Sequence, residues 1–339
     1  MTPSSGGFVL ANLANVTRMT KVGIRLILLA AGLANLHVTA ERASATRGMV
    51  TPIGSCTSLE GRRIAASEIG LPTTGASVVS AHLVAAAGQR VSHGQVVLAI
   101  PEYCRVKGII APVDPQAPTI NFHVNVPTSW NGKLIQLGGS GLNGGIPVAL
   151  TTSMQWGPES IPRNAPYALS RGFVTYGSDS GHTNAGMRVG GPGFAVDWMS
   201  NQEALTNFAS AQKKKTRDVA VVLVKTLYGV GPRHSYFMGT SQGGREALMV
   251  AQRFPQDYDG VFSQITNEIV PPYVDVIAML DDWVEKGKAP ADAPVLTSMD
   301  TAPPFNVTSS LPMCRYPRYP RYKGRADPKN AGSYTCAKP

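Results

Sequence analysis

The stretch Gly239-Thr240-Ser241-Gln242-Gly243-Gly244-Arg245 constrains this chain more than any other. An apolar run, Ser235-Tyr236-Phe237-Met238, precedes it and reads as a buried strand, while Glu246-Ala247-Leu248-Met249-Val250-Ala251 follows and reads as a helix. A serine between glycines two residues away on each side, at a strand-to-helix turn, is the sequence form of a nucleophile elbow. Gly239 and Gly243 let the backbone turn sharply and the helix pack close, so that the Ser241 hydroxyl stands above the sheet. The backbone N–H of Gln242 then opens a helix, where it is placed to donate to a developing oxyanion. A glycine-rich turn without chemistry is the competing reading of the same five residues.

The 339 residues, 43% apolar and 15% charged, suffice for one large α/β domain with a sizeable core or for two smaller ones. The N-terminus reads as a secretory leader over residues 1–45. Arg18, Lys21 and Arg25 supply its positive region, Leu26 to Leu36 its apolar region and Ala43-Ser44-Ala45 its cleavage site, with Met19 as an alternative start. The apolar run is too short to span a bilayer, so no membrane anchor is expected. The net charge is +10, of which about +7 lies beyond residue 45, and a solvated basic surface accounts for it better than a nucleic-acid partner. Export implies a secreted or periplasmic protein, in which disulfides persist. The four cysteines allow three pairings, and local pairing of Cys56 with Cys104 and of Cys314 with Cys336 is the simplest. The cysteines show no C-x-x-C spacing to suggest metal or redox chemistry.

Residues 76–127 read as a β meander, in which Ile120, Phe122, Val124 and Val126 alternate with polar residues. Lys133 to Leu137 is a short strand running into the glycine-rich loop Gly138 to Gly145. That loop lacks the Lys-Ser/Thr of a phosphate loop, and it reads as the second half of an oxyanion hole, with the N–H groups of Gly139 and Ser140 as candidate donors. A further strand, Phe173-Val174-Thr175-Tyr176, ends at Asp179 and His182, which lie where open α/β sheets place their sites and are candidates to line a substrate pocket. The alternative there is an Asx turn beside a hydrogen-bonded histidine. Residues 201–228 take helical spacing, with Leu205, Phe208, Val219, Ala220, Leu223, Val224 and Leu227 on one stripe and Lys213-Lys214-Lys215 read as a solvated face. After a strand at Gly260 to Ser263, Val276, Ile277, Leu280, Trp283 and Val284 form a short amphipathic helix closed by Gly287. The remainder is rich in Pro, Ser and Thr and shows few strands.

A serine hydroxyl needs a base, and the base needs an acid to orient it. All six histidines, at positions 37, 82, 93, 123, 182 and 234, precede Ser241. In the chain order Ser, Asp or Glu, His that goes with a nucleophile elbow, the base is therefore missing. His182 is the one histidine on a loop expected on the Ser241 side of the sheet.

Tyr236 to Leu248, followed by Arg253-Phe254-Pro255-Gln256-Asp257-Tyr258-Asp259-Gly260, resembles the tannase and feruloyl esterase family. The Gly138–Gly145 loop, Ser178 to His182 and the N-terminal cysteine pair are similar too. At the far end so are Trp283 to Pro290, Cys314-Arg315-Tyr316-Pro317 and Arg321-Tyr322-Lys323-Gly324 up to Cys336. The resemblance implies a secreted α/β-hydrolase fold, a doubly wound and mostly parallel sheet with flanking helices, that cleaves small-molecule esters of aromatic acids through Ser241. It also implies a lid domain, often calcium-bearing, and then the triad Asp and His, between the strand after the nucleophile helix and the Trp283 helix. Here those two pieces nearly meet, with a seam expected between about Ile269 and Asp281. The expectation is an internally deleted esterase, incomplete at its C-terminal strands, without lid or calcium, and of weak or no activity. Its alternatives are a secreted non-catalytic binder of aromatic esters and the product of a defective gene model. Residues 46–278 would form the truncated hydrolase domain, with an unpaired sheet edge, and 279–339 a C-terminal helix and disulfide-tied tail.

Overall fold

The computed structural model describes residues 8–12, 48–92, 95–141, 143–147, 161–183, 197–264, 273–315 and 317–338. The expected leader otherwise lies outside these residues, as do His37, His93 and residues 269–272 of the expected seam. Eleven strands run up to the exit from the helix after Ser241: β1 (Phe8–Asn12), β2 (Arg63–Ile64), β3 (Gly75–Val84), β4 (Arg90–Ser92), β5 (Gln95–Val97), β6 (Tyr103–Ala111), β7 (Ile120–Pro127), β8 (Lys133–Leu137), β9 (Val174–Ser178), β10 (His234–Thr240) and β11 (Gly260–Gln264). Nine of them form one sheet in the order β1-β11-β10-β8-β9-β7-β6-β3-β2, while β4 and β5 pair as a separate hairpin.

The centre of the sheet is parallel. β8 pairs with β9 and β10, and β10 with β11, all in parallel. These strands are largely apolar because both faces are covered. Helices α1 (Gln202–Thr206), α2 (Gln212–Tyr228) and α3 (Gln242–Arg253) precede a fourth, α4 (Val276–Lys286). On β10, Tyr236 and Met238 pack with Val276, Ile277 and Leu280 of α4. Phe237, one residue out of phase, packs with Ala247 and Val250 of α3. The period of two along the strand thus puts helices on opposite faces, which is the α/β-hydrolase arrangement. The stripe Val219, Ala220, Leu223, Val224 and Leu227 of α2 is buried as expected, against Val124, Leu134, Val174 and Tyr176.

Both cysteine pairs are bonded, Cys56 to Cys104 and Cys314 to Cys336. Two expectations need correction. The sheet edge expected to be unpaired is covered: β1 lies antiparallel on β11, from Phe8 opposite Gln264 to Asn12 opposite Gly260. The C-terminal remainder is better structured than its composition suggested, since β12 (Val295–Met299) pairs with β13 (Val307–Pro312) and β14 (Tyr319–Tyr322) with β15 (Tyr334–Ala337). The boundary expected at 278 lies within α4, whose Val276, Ile277 and Leu280 pack against Tyr236 and Met238 of β10.

Ion pairs fix that helix. Lys133 at the start of β8, 6% exposed, meets Asp281 at 2.6 Å and Glu285 at 3.1 Å, and the Tyr236 hydroxyl donates to Asp281 at 2.8 Å. Arg171 donates both terminal nitrogens to Asp275, at 2.8 and 2.9 Å. α4 and its capping Asp275 are therefore docked by charged and polar side chains from β8, β10 and the turn before β9. Asp281→Ala is expected to cost about 2 kcal/mol, because it strips charge-assisted bonds from Lys133 and Tyr236 together. Urea denaturation monitored by circular dichroism measures the loss, and Asp282→Ala, which removes only the exposed pair with Lys286, should leave stability within about 0.5 kcal/mol.

Candidate active site

Ser241 links β10 to α3 with φ 57° and ψ −119°, a left-handed backbone on a residue that has a Cβ. Its N–H donates to the Gln264 carbonyl at 2.6 Å, and its carbonyl accepts the Arg245 N–H at 3.2 Å. The turn is held between the end of β11 and the first turn of α3. Close packing explains its glycines. A Cβ on Gly239 would overlap the Gly243 carbonyl, and a Cβ on Gly243 would lie 2.9 Å from the Gly139 carbonyl oxygen. The elbow and the Gly138–Gly145 loop are thus in backbone contact. Gln242 opens α3 directly after Ser241.

The loop is built on hydrogen bonds. Gly138 N–H donates to the Met238 carbonyl at 2.8 Å, extending the β8–β10 ladder, and Asn143 N–H donates to the Ser140 carbonyl at 2.8 Å, closing a turn. Gly139 N–H donates to Glu246 Oε2 at 3.1 Å. Of the two candidate loop donors, Gly139 is therefore already engaged. The Asn143 amide donates to Glu246 Oε1 and to Ser180 Oγ. Glu246, on α3, is ion-paired at 3.0 Å with Lys213, and the two side chains are 1% and 0% exposed. Lys213 Nζ also donates to the Phe208 carbonyl at 2.7 Å. Burial holds the Lys213 ammonium below its ordinary pKa and Glu246 draws it back up.

The lysine run is accordingly not a solvated face. Lys213 is buried on Glu246, Lys214 pairs with Asp257 at 3.0 Å and Asp218 at 3.2 Å, and Lys215, 2% exposed, reaches Asn207 at 3.0 Å and Glu203 at 3.4 Å. A π-helical turn at Asn207–Ala211 joins α1 to α2 and sets the direction in which these lysines leave the helix.

Asp179 and His182 are both 2% exposed. The Asp179 carboxylate accepts from Asn121 N–H at 3.0 Å, Asn121 Nδ2 at 2.5 Å and Gly181 N–H at 2.9 Å, an Asx turn that shapes its own loop. Burial raises its pKa to about 6 against those donors. His182 stacks on Trp198 with ring centroids 3.8 Å apart and meets the edge of Phe208 at 5.8 Å. Phe208 in turn carries the Arg245 guanidinium at 5.1 Å. The remaining described histidines lie elsewhere. His234 begins β10, about 20 Å from Ser241 along an extended strand, close to Asp259 at 3.6 Å. His123 faces Lys107 across β6 and β7.

Burial, reinforced by Lys107 and Arg105, lowers the His123 pKa to about 4. The unfolded chain then binds a proton that the folded chain refuses, so this contribution to stability is intact above pH 6.5 and lost as the pH falls toward 4. His123→Gln is expected to flatten that loss, read as the difference in melting temperature between pH 7 and pH 4.5 for variant and parent.

Sequence reasoning missed Glu246 and Lys213. Glu246 shares the α3 stripe of Gly243, Ala247 and Val250, all buried, and a carboxylate at i, i+4 and i−3 positions of a buried stripe was the available signal.

Comparison with known proteins places these features. A family model described as tannase and feruloyl esterase matches residues 104–268 and 263–337. The chain belongs to the tannase and feruloyl esterase family. The two matched segments overlap at residues 263–268, from the end of β11 to just before the expected seam. An uncharacterized esterase of Agrobacterium fabrum is 41% identical over 210 residues, 62% of this chain and 35% of its own. A mono(2-hydroxyethyl) terephthalate hydrolase of Piscinibacter sakaiensis is 32% identical over 200 residues, 57% of this chain and 31% of its own. This chain spans about a third of the length of the curated relatives it matches. The crystal structure of feruloyl esterase B from Aspergillus oryzae aligns with a TM-score of 0.42 at 21% identity, covering 60% of this chain and 36% of that one.

Proposed function

We propose that this chain is a carboxylic ester hydrolase of the tannase and feruloyl esterase type that retains the oxyanion half of its machinery and takes esters of aromatic acids. Ser241 stands in the nucleophile's place, and the N–H groups of Gln242 and Ser140 receive the oxyanion. The observation that carries this reading is the Ser241 backbone, φ 57° and ψ −119°, at the end of a parallel strand. The aromatic acid comes from the family and from the terephthalate and feruloyl esters in the relatives' names. No histidine follows Ser241, so the hydroxyl has no partner in the chain order this fold uses. Loss of the base lowers kcat on the order of 10⁶-fold. What remains is polarisation of a bound ester by backbone donors, a residual enhancement of roughly 10³–10⁴ over water.

Hydrolysis of a p-nitrophenyl ester tests this. Slow linear release that survives Ser241→Ala is expected, and a stoichiometric nitrophenol burst that Ser241→Ala abolishes would overturn it. The missing histidine also favours a second reading, a secreted binder of aromatic esters. Saturable binding of a ferulate ester with release no faster than in buffer would select that alternative.

A further inference from the structure

The buried carboxylate under the elbow has a task that the proposed chemistry does not by itself assign. Glu246 touches the glycine-rich loop at both ends of its turn, accepting the Gly139 N–H at 3.1 Å through Oε2 and the Asn143 amide through Oε1. Between those anchors lies the turn closed by Asn143 N–H on the Ser140 carbonyl, with Gly141 at φ 57° and Asn143 at φ 60°. Further on, Gly144 N–H donates to the Asp179 carbonyl at 3.0 Å, so the loop's far side hangs from the β9 exit. Glu246 is carried by the same helix that Gln242 opens. One rigid element therefore holds one oxyanion donor and grips the loop that holds the other. An ionised carboxylate that is 1% exposed would be costly alone, and Lys213 at 3.0 Å, itself buried, compensates it.

We infer that Glu246 is a positioning residue that clamps the Gly139–Asn143 turn against the nucleophile helix, taking up the Gly139 N–H and leaving Ser140 as the loop's oxyanion donor, with Lys213 as the clamp's counter-charge. This rests on the oxyanion reading of the loop. The clamp is an acceptor on two oxygens at once. A glutamine at the same place keeps its shape but offers one acceptor and one donor, so it holds one end of the turn and repels the other.

The test separates clamp from stability through the neutral pair. Glu246→Gln alone leaves Lys213 buried without its counter-charge and is expected to melt early. Glu246→Gln combined with Lys213→Met removes both charges and is expected to recover most of the melting temperature. In that double variant, amide exchange at residues 139–144 is expected to speed up about 100-fold. Its residual p-nitrophenyl ester hydrolysis should fall about 100-fold in kcat, with KM changed less than about threefold, the size of losing one oxyanion donor. Unchanged exchange at 139–144 in the folded double variant would overturn the clamp. Faster exchange with unchanged kcat would leave the clamp standing and overturn the oxyanion reading instead.

Discussion

Gly239→Ala is expected to cost about 3 kcal/mol or more, the largest effect of any single methyl group added to this chain at the site. The new Cβ would overlap the carbonyl of Gly243, a backbone atom in the first turn of α3. Flexible side chains yield to such a contact, whereas a helix turn does not. Nor has α3 room to retreat, since Gly243 is itself packed on Gly138 and Gly139, and a Cβ on Gly244 would overlap the Gln264 carbonyl. The strand, the helix, the glycine-rich loop and the end of β11 are locked at one point, so relief of one contact creates another. Chemical denaturation measures the cost, and Gly88→Ala, where a Cβ meets nothing within 4 Å, is the control expected to stay within about 0.5 kcal/mol.

Lys213→Met is expected to destabilise the fold by about 3–5 kcal/mol, the range for removing one partner of a buried ion pair. Methionine matches the volume of the lysine stem, so packing is largely kept and the loss is electrostatic. Glu246 would keep Gly139 and Asn143 as donors, but its charge would have no counter-ion within the buried network. Lys225→Met, at an exposed position of the same helix, is the comparison expected to change little. Equal midpoints for the two variants in urea would show that the pair contributes nothing to stability.

The centre of the fold was legible because parallel strands covered on both faces are apolar at most positions, and Lys133–Leu137, Val174–Tyr176, Ser235–Met238 and Gly260–Ser263 are, with Lys133, Gln136, Thr175, Ser235 and Ser263 as their polar exceptions. The elbow was legible because its glycines are spaced by the sterics of one turn. The lysines were not. Three consecutive helical residues point about 100° apart, so a run such as Lys213-Lys214-Lys215 has no common face, and its acidic partners Glu246 and Asp257 lie far along the chain. The same limit hid Glu246, whose burial depends on a loop more than a hundred residues earlier. The tail strands escaped because Val307 to Pro312 are exposed or only half-buried and Tyr319 to Tyr322 are exposed, and so show no apolar alternation. β1 escaped because its five residues, Phe8–Asn12, fall within the stretch that reads as a leader.

The π turn at Asn207–Ala211 accommodates one residue more than an α-helical turn would. Deleting a residue there would give a smoother helix, and by restoring the tighter winding it would rotate everything on one side relative to the other by about 100°. Leu223 and its stripe are gripped by the sheet, so the swing would fall on Glu203, Asn207 and Phe208. The single irregular turn thus acts as a phase offset, letting one helix meet the sheet with its apolar stripe while it sends Lys213 inward to the carboxylate beneath the elbow.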